Sequence, residues 1–176
     1  MADRGLTGIL LVGGASTRFG SPKALATLGG RSLAEIGWET LAFCDERIAV
    51  GKTIDGLDLP FPALDDGTDV RAPIAGVIAG LRAAANDHCV VLPVDTPKMT
   101  PAALAALAAA GGDVATPPSG PLPGAYRRTA LPALEAALAE GRLSLRDAIA
   151  GLDRLVVDVD SSLLANVNTP DELARI

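Results

Sequence analysis

Two adjacent glycines, two cations and one isolated carboxylate are the residues of this 176-residue chain best suited to chemistry. The apolar run Ile9–Val12 stops at Gly13-Gly14, and Ser16, Arg18, Gly20 and Lys23 follow within ten residues. A buried strand feeding a glycine turn exposes several backbone N–H groups at one point. Oriented N–H dipoles with two fixed cations beside them suit a bound triphosphate. The spacing is not G-x-x-x-x-G-K-[ST], because Ala24 follows Lys23. Nor is it G-x-G-x-x-G, because the first two glycines are adjacent. The plainer reading is an ordinary tight turn with surface Arg and Lys.

Asp95 directly follows the apolar segment His88–Val94. A carboxylate there cannot sit deep without a partner, since an unpaired buried charge is too costly. It caps a helix, pairs with a cation or binds a metal. Mg²⁺ needs only one or two carboxylates beside phosphate oxygens and water, so a single Asp can start such a site. Asp65, Asp66 and Asp69 form an acidic loop cluster. Solvation is the default for it, with one member able to accept hydrogen bonds from a base or ribose. Asn166 and Asn168 are alternate residues of an extended segment and point the same way. They either shape the turn or face one site, such as a metal's water shell.

The elements that must position these groups can be read from pattern. Thr7–Val12, Arg47–Val50, His88–Val94, Asp113–Thr116, Ala125–Arg128 and Leu155–Val159 read as strands, with a further one at Phe61–Leu64. Ser32 and Glu35 make a capping box opening a helix to Phe43, and Thr169 and Glu172 make a second before a short terminal helix. Pro73–Ala85, a helix opened by Thr100-Pro101, Leu131–Glu140 and a short helix capped by Ser144 and Asp147 complete the set. Gly76 and Gly80 share one helix face and allow close packing or close ligand approach. Thr116–Gly124, rich in Pro and Gly, reads as a lid or binding loop.

Strands alternating with helices predict an α/β fold: a three-layer α/β/α, mostly parallel, Rossmann-like sheet in one domain spanning 1–176. Ligands bind such sheets beyond the carboxyl ends of the strands. The exit of strand one and Asp95 should therefore meet at one edge.

Composition narrows the function. A net charge of -6 argues against a nucleic-acid footprint, so any anion must be held by a local site. No apolar run reaches membrane-spanning length and no secretory signal is evident, which gives the expectation of a cytoplasmic protein. Cys44 and Cys89 read as buried small hydrophobes without CxxC spacing, and His88 as a surface residue. Trp38 and Tyr126 read as packing residues, with Tyr126 near enough to the Pro-rich loop to touch a ligand.

Taken together, these segments resemble the MobA-type molybdenum cofactor guanylyltransferases of the nucleotidyltransferase superfamily. The family pattern L-x-G-G-x-S-x-R-x-G with K-A is matched by Leu11–Gly20 and Lys23-Ala24. G-P-L-A-G is similar to Ala72-Pro-Ile-Ala-Gly76, P-x-D-x-P to Pro93–Pro97, and N-x-N-T-P-E-E-L to Asn166–Leu173. The resemblance implies the nucleotide-diphospho-sugar transferase-like variant of the fold, with GTP as donor, metal-bound molybdopterin as acceptor and Mg²⁺ as cofactor. It implies nucleotide contacts at Leu11, Val12, Gly13, Gly14, Lys23 and Asp65. Arg18, Lys23 and Asp95 would be catalytic, with Asp95 as Mg²⁺ ligand, and Asn166 and Asn168 would lie on the acceptor side. Transient contact with cofactor-biosynthesis or acceptor enzymes would follow.

The chain departs from the family at Val12, where Ala is usual, and at Phe19 and Pro22. It also departs at Gly51, where some members carry an Asn that contacts the nucleotide. Related readings are transfer from another NTP or to another acceptor (a cytidylyl-, phospholactate or sugar-phosphate transferase) and a non-catalytic nucleotide-binding protein.

Overall fold

The computed structural model describes residues 5–13, 19 and 21–176. Gly14, Ser16, Arg18 and Gly20 of the glycine loop lie outside the described residues.

Seven strands form one sheet. They are β1 (Leu6–Leu11), β4 (Glu46–Gly51), β5 (Ala63–Asp65), β6 (His88–Pro93), β7 (Val114–Thr116), β8 (Gly124–Arg127) and β9 (Arg154–Val156). Their order is β5-β4-β1-β6-β8-β7-β9. Only β8 runs against its neighbours; every other pairing in the sheet is parallel. The mostly parallel sheet expected from the alternating elements is therefore present, with one reversed strand inserted between β6 and β7. Two further short strands, β2 (Thr27–Leu28) and β3 (Arg31–Ser32), make a hairpin that the sequence reading did not anticipate. Its turn is Gly29-Gly30, with φ of 59° and 82°, the left-handed region glycine reaches without steric cost.

Side chains of β1 and β6 alternate strictly between two cores. Ile9, Leu11, Cys89 and Val91 face one layer, with helices α2 (Pro73–Ala83), α4 (Leu131–Ala139) and α5 (Leu145–Ala148). Leu10, Val12, Val90 and Leu92 face the other, with α1 (Leu33–Thr40), α3 (Pro101–Ala109) and α6 (Pro170–Ala174). Burial on both faces explains why these strands read as unbroken apolar runs.

Glycines set the closeness of this packing. A Cβ on Gly80 would lie 2.6 Å from Cγ2 of Ile9, and one on Gly76 would lie 2.9 Å from Cδ2 of Leu11. The spacing of four in α2 thus lets the helix backbone rest directly on β1.

The first capping box forms as expected. Glu35 N–H donates to Ser32 Oγ at 3.1 Å, and Ser32 N–H donates to the Glu35 carboxylate at 2.8 Å. The second closes one residue early. Thr169 Oγ1 accepts from Glu172 N–H at 3.2 Å, but the Glu172 carboxylate takes the N–H of Asn168 at 2.6 Å. The last strand ends at Val156, not Val159: Val159 turns into the core and an irregular segment follows.

Candidate functional site

All parallel strands end at one edge, and a cavity of about 280 Å³ opens there. Backbone forms its wall. Val12 N–H donates to Val50 C=O at 2.9 Å and Val94 N–H to Leu11 C=O at 3.2 Å, so the exits of β4, β1 and β6 stay zipped past the sheet. A Cβ on Gly13 would stand 3.3 Å from the Cα of Gly51, and one on Gly51 would stand 2.9 Å from Cγ2 of Val12. Glycine at both positions therefore lets the two strand exits pack backbone to backbone, and Gly13 lines the cavity with exposed main chain. Val12 and Gly51 are linked by contact: a methyl of Val12 occupies the room that a side chain at 51 would need.

Leu11, Val12, Gly13, Lys23 and Asp95 all line this cavity. Lys23 Nζ lies 3.7 Å from Asp95 Oδ2 and donates to Asn168 Oδ1 at 3.1 Å. The ammonium also sits 6.0 Å from the ring centroid of Phe19. Among the described residues Asp95 caps no helix. The next helix, α3, is capped by Thr100, whose Oγ1 accepts from Ala103 N–H at 3.2 Å. Burial pushes the Asp95 carboxyl above the usual carboxylate range, and the Lys23 ammonium pulls it part of the way back. Val167 N–H donates to the Asp95 carbonyl at 2.8 Å. That bond clips the C-terminal segment to the site. Val167 points into the core, while Asn166 and Asn168 are both exposed. Neither is among the residues lining the cavity, but Asn168 reaches Lys23.

Asp65, expected at the nucleotide, ends β5 with an exposed side chain. It is not among the residues lining the cavity. Its Oδ2 accepts Thr53 N–H at 2.7 Å and its Oδ1 accepts Gly67 N–H at 2.7 Å. These backbone donors, Thr53 first, hold its carboxyl below the usual range. Adjacent residues of an extended chain point to opposite sides, so only one of Asp65 and Asp66 can face inward. Asp66 lines the cavity.

Lys52 and Arg71 also line the cavity, and the sequence reading passed over both. Lys52 Nζ donates to both carboxylate oxygens of Asp66, at 2.8 and 2.9 Å, and to the Thr68 carbonyl. Arg71 pairs with Asp55 at 2.7 Å. The signal for Lys52 was available: like Asp95, it directly follows a strand at the ligand-binding edge.

The Pro-rich segment after β7 is tied down. Tyr126 O–H donates to Pro121 C=O at 2.7 Å, Arg146 Nη2 donates to Ser119 C=O at 3.2 Å, and Leu122 lines the cavity. Tyr126 itself is buried in the core. Trp38 stacks on Phe61 at 4.2 Å, as expected of a packing residue. Cys89 is buried but Cys44 is only half-buried, because it ends a short helical turn; burial pushes both thiols up to about 12. His88 is likewise half-buried, where a surface position was expected.

Among the described residues, no group of three or more His, Cys, Asp or Glu could hold a metal. Asp95, at the Lys23 end of the cavity, fits a divalent ion that takes its remaining ligands from phosphate and water. No helix among the described residues is long and apolar enough to cross a membrane.

Residues 8–155 match the MobA-like NTP transferase domain family. A molybdenum cofactor guanylyltransferase of Desulfosudis oleivorans is 32% identical over 190 residues, spanning 97% of this chain and 93% of that protein. A Deinococcus radiodurans protein named as a probable molybdenum cofactor guanylyltransferase is 35% identical over 186 residues, with the same coverage of 97% and 93%. Among solved structures, molybdopterin-guanine dinucleotide biosynthesis protein A of Archaeoglobus fulgidus superposes with a TM-score of 0.82 at 27% identity, covering 96% of this chain and 95% of that one.

Proposed function

This chain belongs to the MobA-like NTP transferase family, and on that premise we propose that it is a molybdenum cofactor guanylyltransferase. It transfers GMP from GTP to the terminal phosphate of molybdenum-bound molybdopterin and releases pyrophosphate. The observation that carries the reading is the 3.7 Å approach of Lys23 to Asp95 inside a cavity walled by the bare backbone of Gly13.

An acceptor phosphate oxygen attacks the α-phosphorus in line. A new P–O bond forms there, and the bond to the bridging oxygen of the β-phosphate breaks. A phosphate is already an anionic nucleophile at neutral pH, so no Ser, Cys or His needs activation. The obstacle is repulsion between two anions and charge on the leaving group. Lys23 supplies a fixed positive charge, and Arg18, outside the described residues, is assigned the same task. The exposed backbone of Gly13 lets the triphosphate come close, and Gly14, outside the described residues, is assigned to the same contact. Asp95 would hold Mg²⁺ together with phosphate oxygens. Bound there, the ion supplies Lewis-acid neutralisation of developing charge. Asn168, through its bond to Lys23, sets where that ammonium points, and Asn166 lies with it on the acceptor side. The setting is cytoplasmic, with transient contact to enzymes that deliver or accept the cofactor.

The deciding experiment incubates the protein with Mg²⁺, molybdenum-loaded molybdopterin and each NTP, and measures pyrophosphate. Release with GTP in clear preference to CTP is the expected result. Release that needs CTP, or none with any NTP, overturns the proposal.

A further inference from the structure

The cavity has two chemically different ends. Lys23 and Asp95 line one of them, at the exits of β1 and β6. Lys52, Asp66 and Arg71 line the other, beside the apolar side chains of Val50, Val70 and Pro73. Three inter-strand steps separate β5 from β6, about 14 Å at the usual spacing. With the phosphates at the Lys23 end, the base of the same nucleotide falls at the other. The charges there are already matched, because Lys52 pairs with Asp66 and Arg71 with Asp55. A phosphate gains little from such a neutral end, whereas an uncharged ring fits between its apolar walls.

We propose that Arg71 binds the O6 and N7 edge of guanine, and that Asp55 positions it. The inference rests on the nucleotide-transfer reading above. Arg71 Nη2 donates to Asp55 Oδ1 at 2.7 Å, and Nη1 donates to Oδ2 at 3.3 Å. Asp55 therefore takes the end-on fork of the guanidinium and fixes its plane. A guanidinium carries five N–H donors in set directions. On its lateral edge, Nε–H and the second N–H of Nη2 meet no acceptor among the described residues. The Arg71 side chain is 46% exposed, so a ligand can reach that edge. Lys52 offers no comparable donor. Its side chain is 9% exposed, and its ammonium gives two bonds to Asp66 and one to the Thr68 carbonyl.

A fork of two parallel donors selects two acceptors side by side. Guanine presents O6 and N7 in that arrangement, whereas adenine presents N7 beside an amino group and would set donor against donor. Arg71 thus favours guanine over adenine.

The test is calorimetric binding of GTP and of 7-deaza-GTP, in which C–H replaces N7, in Mg²⁺ without acceptor. The wild type is expected to favour GTP by about 10-fold, the lower end for a hydrogen bond to a charged group. Arg71→Lys keeps the charge but not the fork, and Arg71→Ala removes both. In each the ratio should fall towards one. Both changes fall on a partly exposed side chain, and circular dichroism should show the fold kept. A wild-type ratio near one, or a ratio that survives in either variant, overturns the assignment of Arg71 and leaves nucleotidyl transfer standing. Failure of the wild type to bind any nucleotide overturns both readings.

Discussion

Val12 and Gly51 compete for the same space: a Cβ at 51 would lie 2.9 Å from Val12 Cγ2. The geometry couples the two positions. Gly51→Asn alone should destabilise by about 1–3 kcal/mol through overpacking. Adding Val12→Ala should recover part of that loss, with a coupling of about 1 kcal/mol or more between the two sites. Urea denaturation of the four proteins in the cycle checks this; purely additive effects would show that the two positions are independent.

Lys23→Ala and Asp95→Asn should each slow pyrophosphate release by roughly 100- to 1000-fold, the usual effect of losing one preorganised charge-stabilising group. Circular dichroism should show both variants folded. Chelation with EDTA should abolish release and added Mg²⁺ should restore it. Turnover near the wild-type rate in either variant is the result that would count against the assigned roles.

The two carboxylates at this edge should respond oppositely to pH. The Asp95 carboxyl is raised, so its contribution to stability is present below the ordinary Asp value of ~3.9 and lost as pH rises through its folded-state value. At pH 7 its charge is a net cost, and Asp95→Asn should keep or raise the Tm while losing activity. Asp65 is lowered, so its contribution is present above ~3.9 and lost as pH falls through its folded-state value. Asp65→Asn should lower the Tm at pH 7 and make little difference near pH 2. Tm measured against pH for both variants checks the signs.

Gly80→Ala would gain about 1 kcal/mol of helix propensity. It would also force a Cβ to within 2.6 Å of the fully buried Ile9. Overpacking of about 1–3 kcal/mol should win, giving a net loss. A Tm equal to or above the wild type would mean that α2 lifts off β1 without cost.

Much of this site could be read from the chain before its folding was known, for a physical reason. Gly13 and Asp95 each end an apolar run, and parallel strands put all such ends together. The exposure of Asn166 and Asn168 on either side of buried Val167 fits two-residue alternation in the same way. What escaped depended on register. Asp66 N–H bonds to Gly51 C=O at 3.0 Å, continuing the β4–β5 pairing. That bond decides which of two adjacent aspartates turns inward and brings Lys52 against it. No local pattern encodes a pairing between residues 14 apart. The Gly29-Gly30 hairpin has one local signal, two adjacent glycines, but strands of two residues each are too short to show an alternating pattern.

The reversed strand β8 has a mechanical consequence. Because it pairs directly with β7, the segment carrying Leu122 is the loop of a hairpin and no parallel crossover passes through it. Its anchors are the bonds from Tyr126 and Arg146, so that rim of the cavity is held by side chains of β8 and α5 and not by the strand ends that carry Gly13 and Asp95.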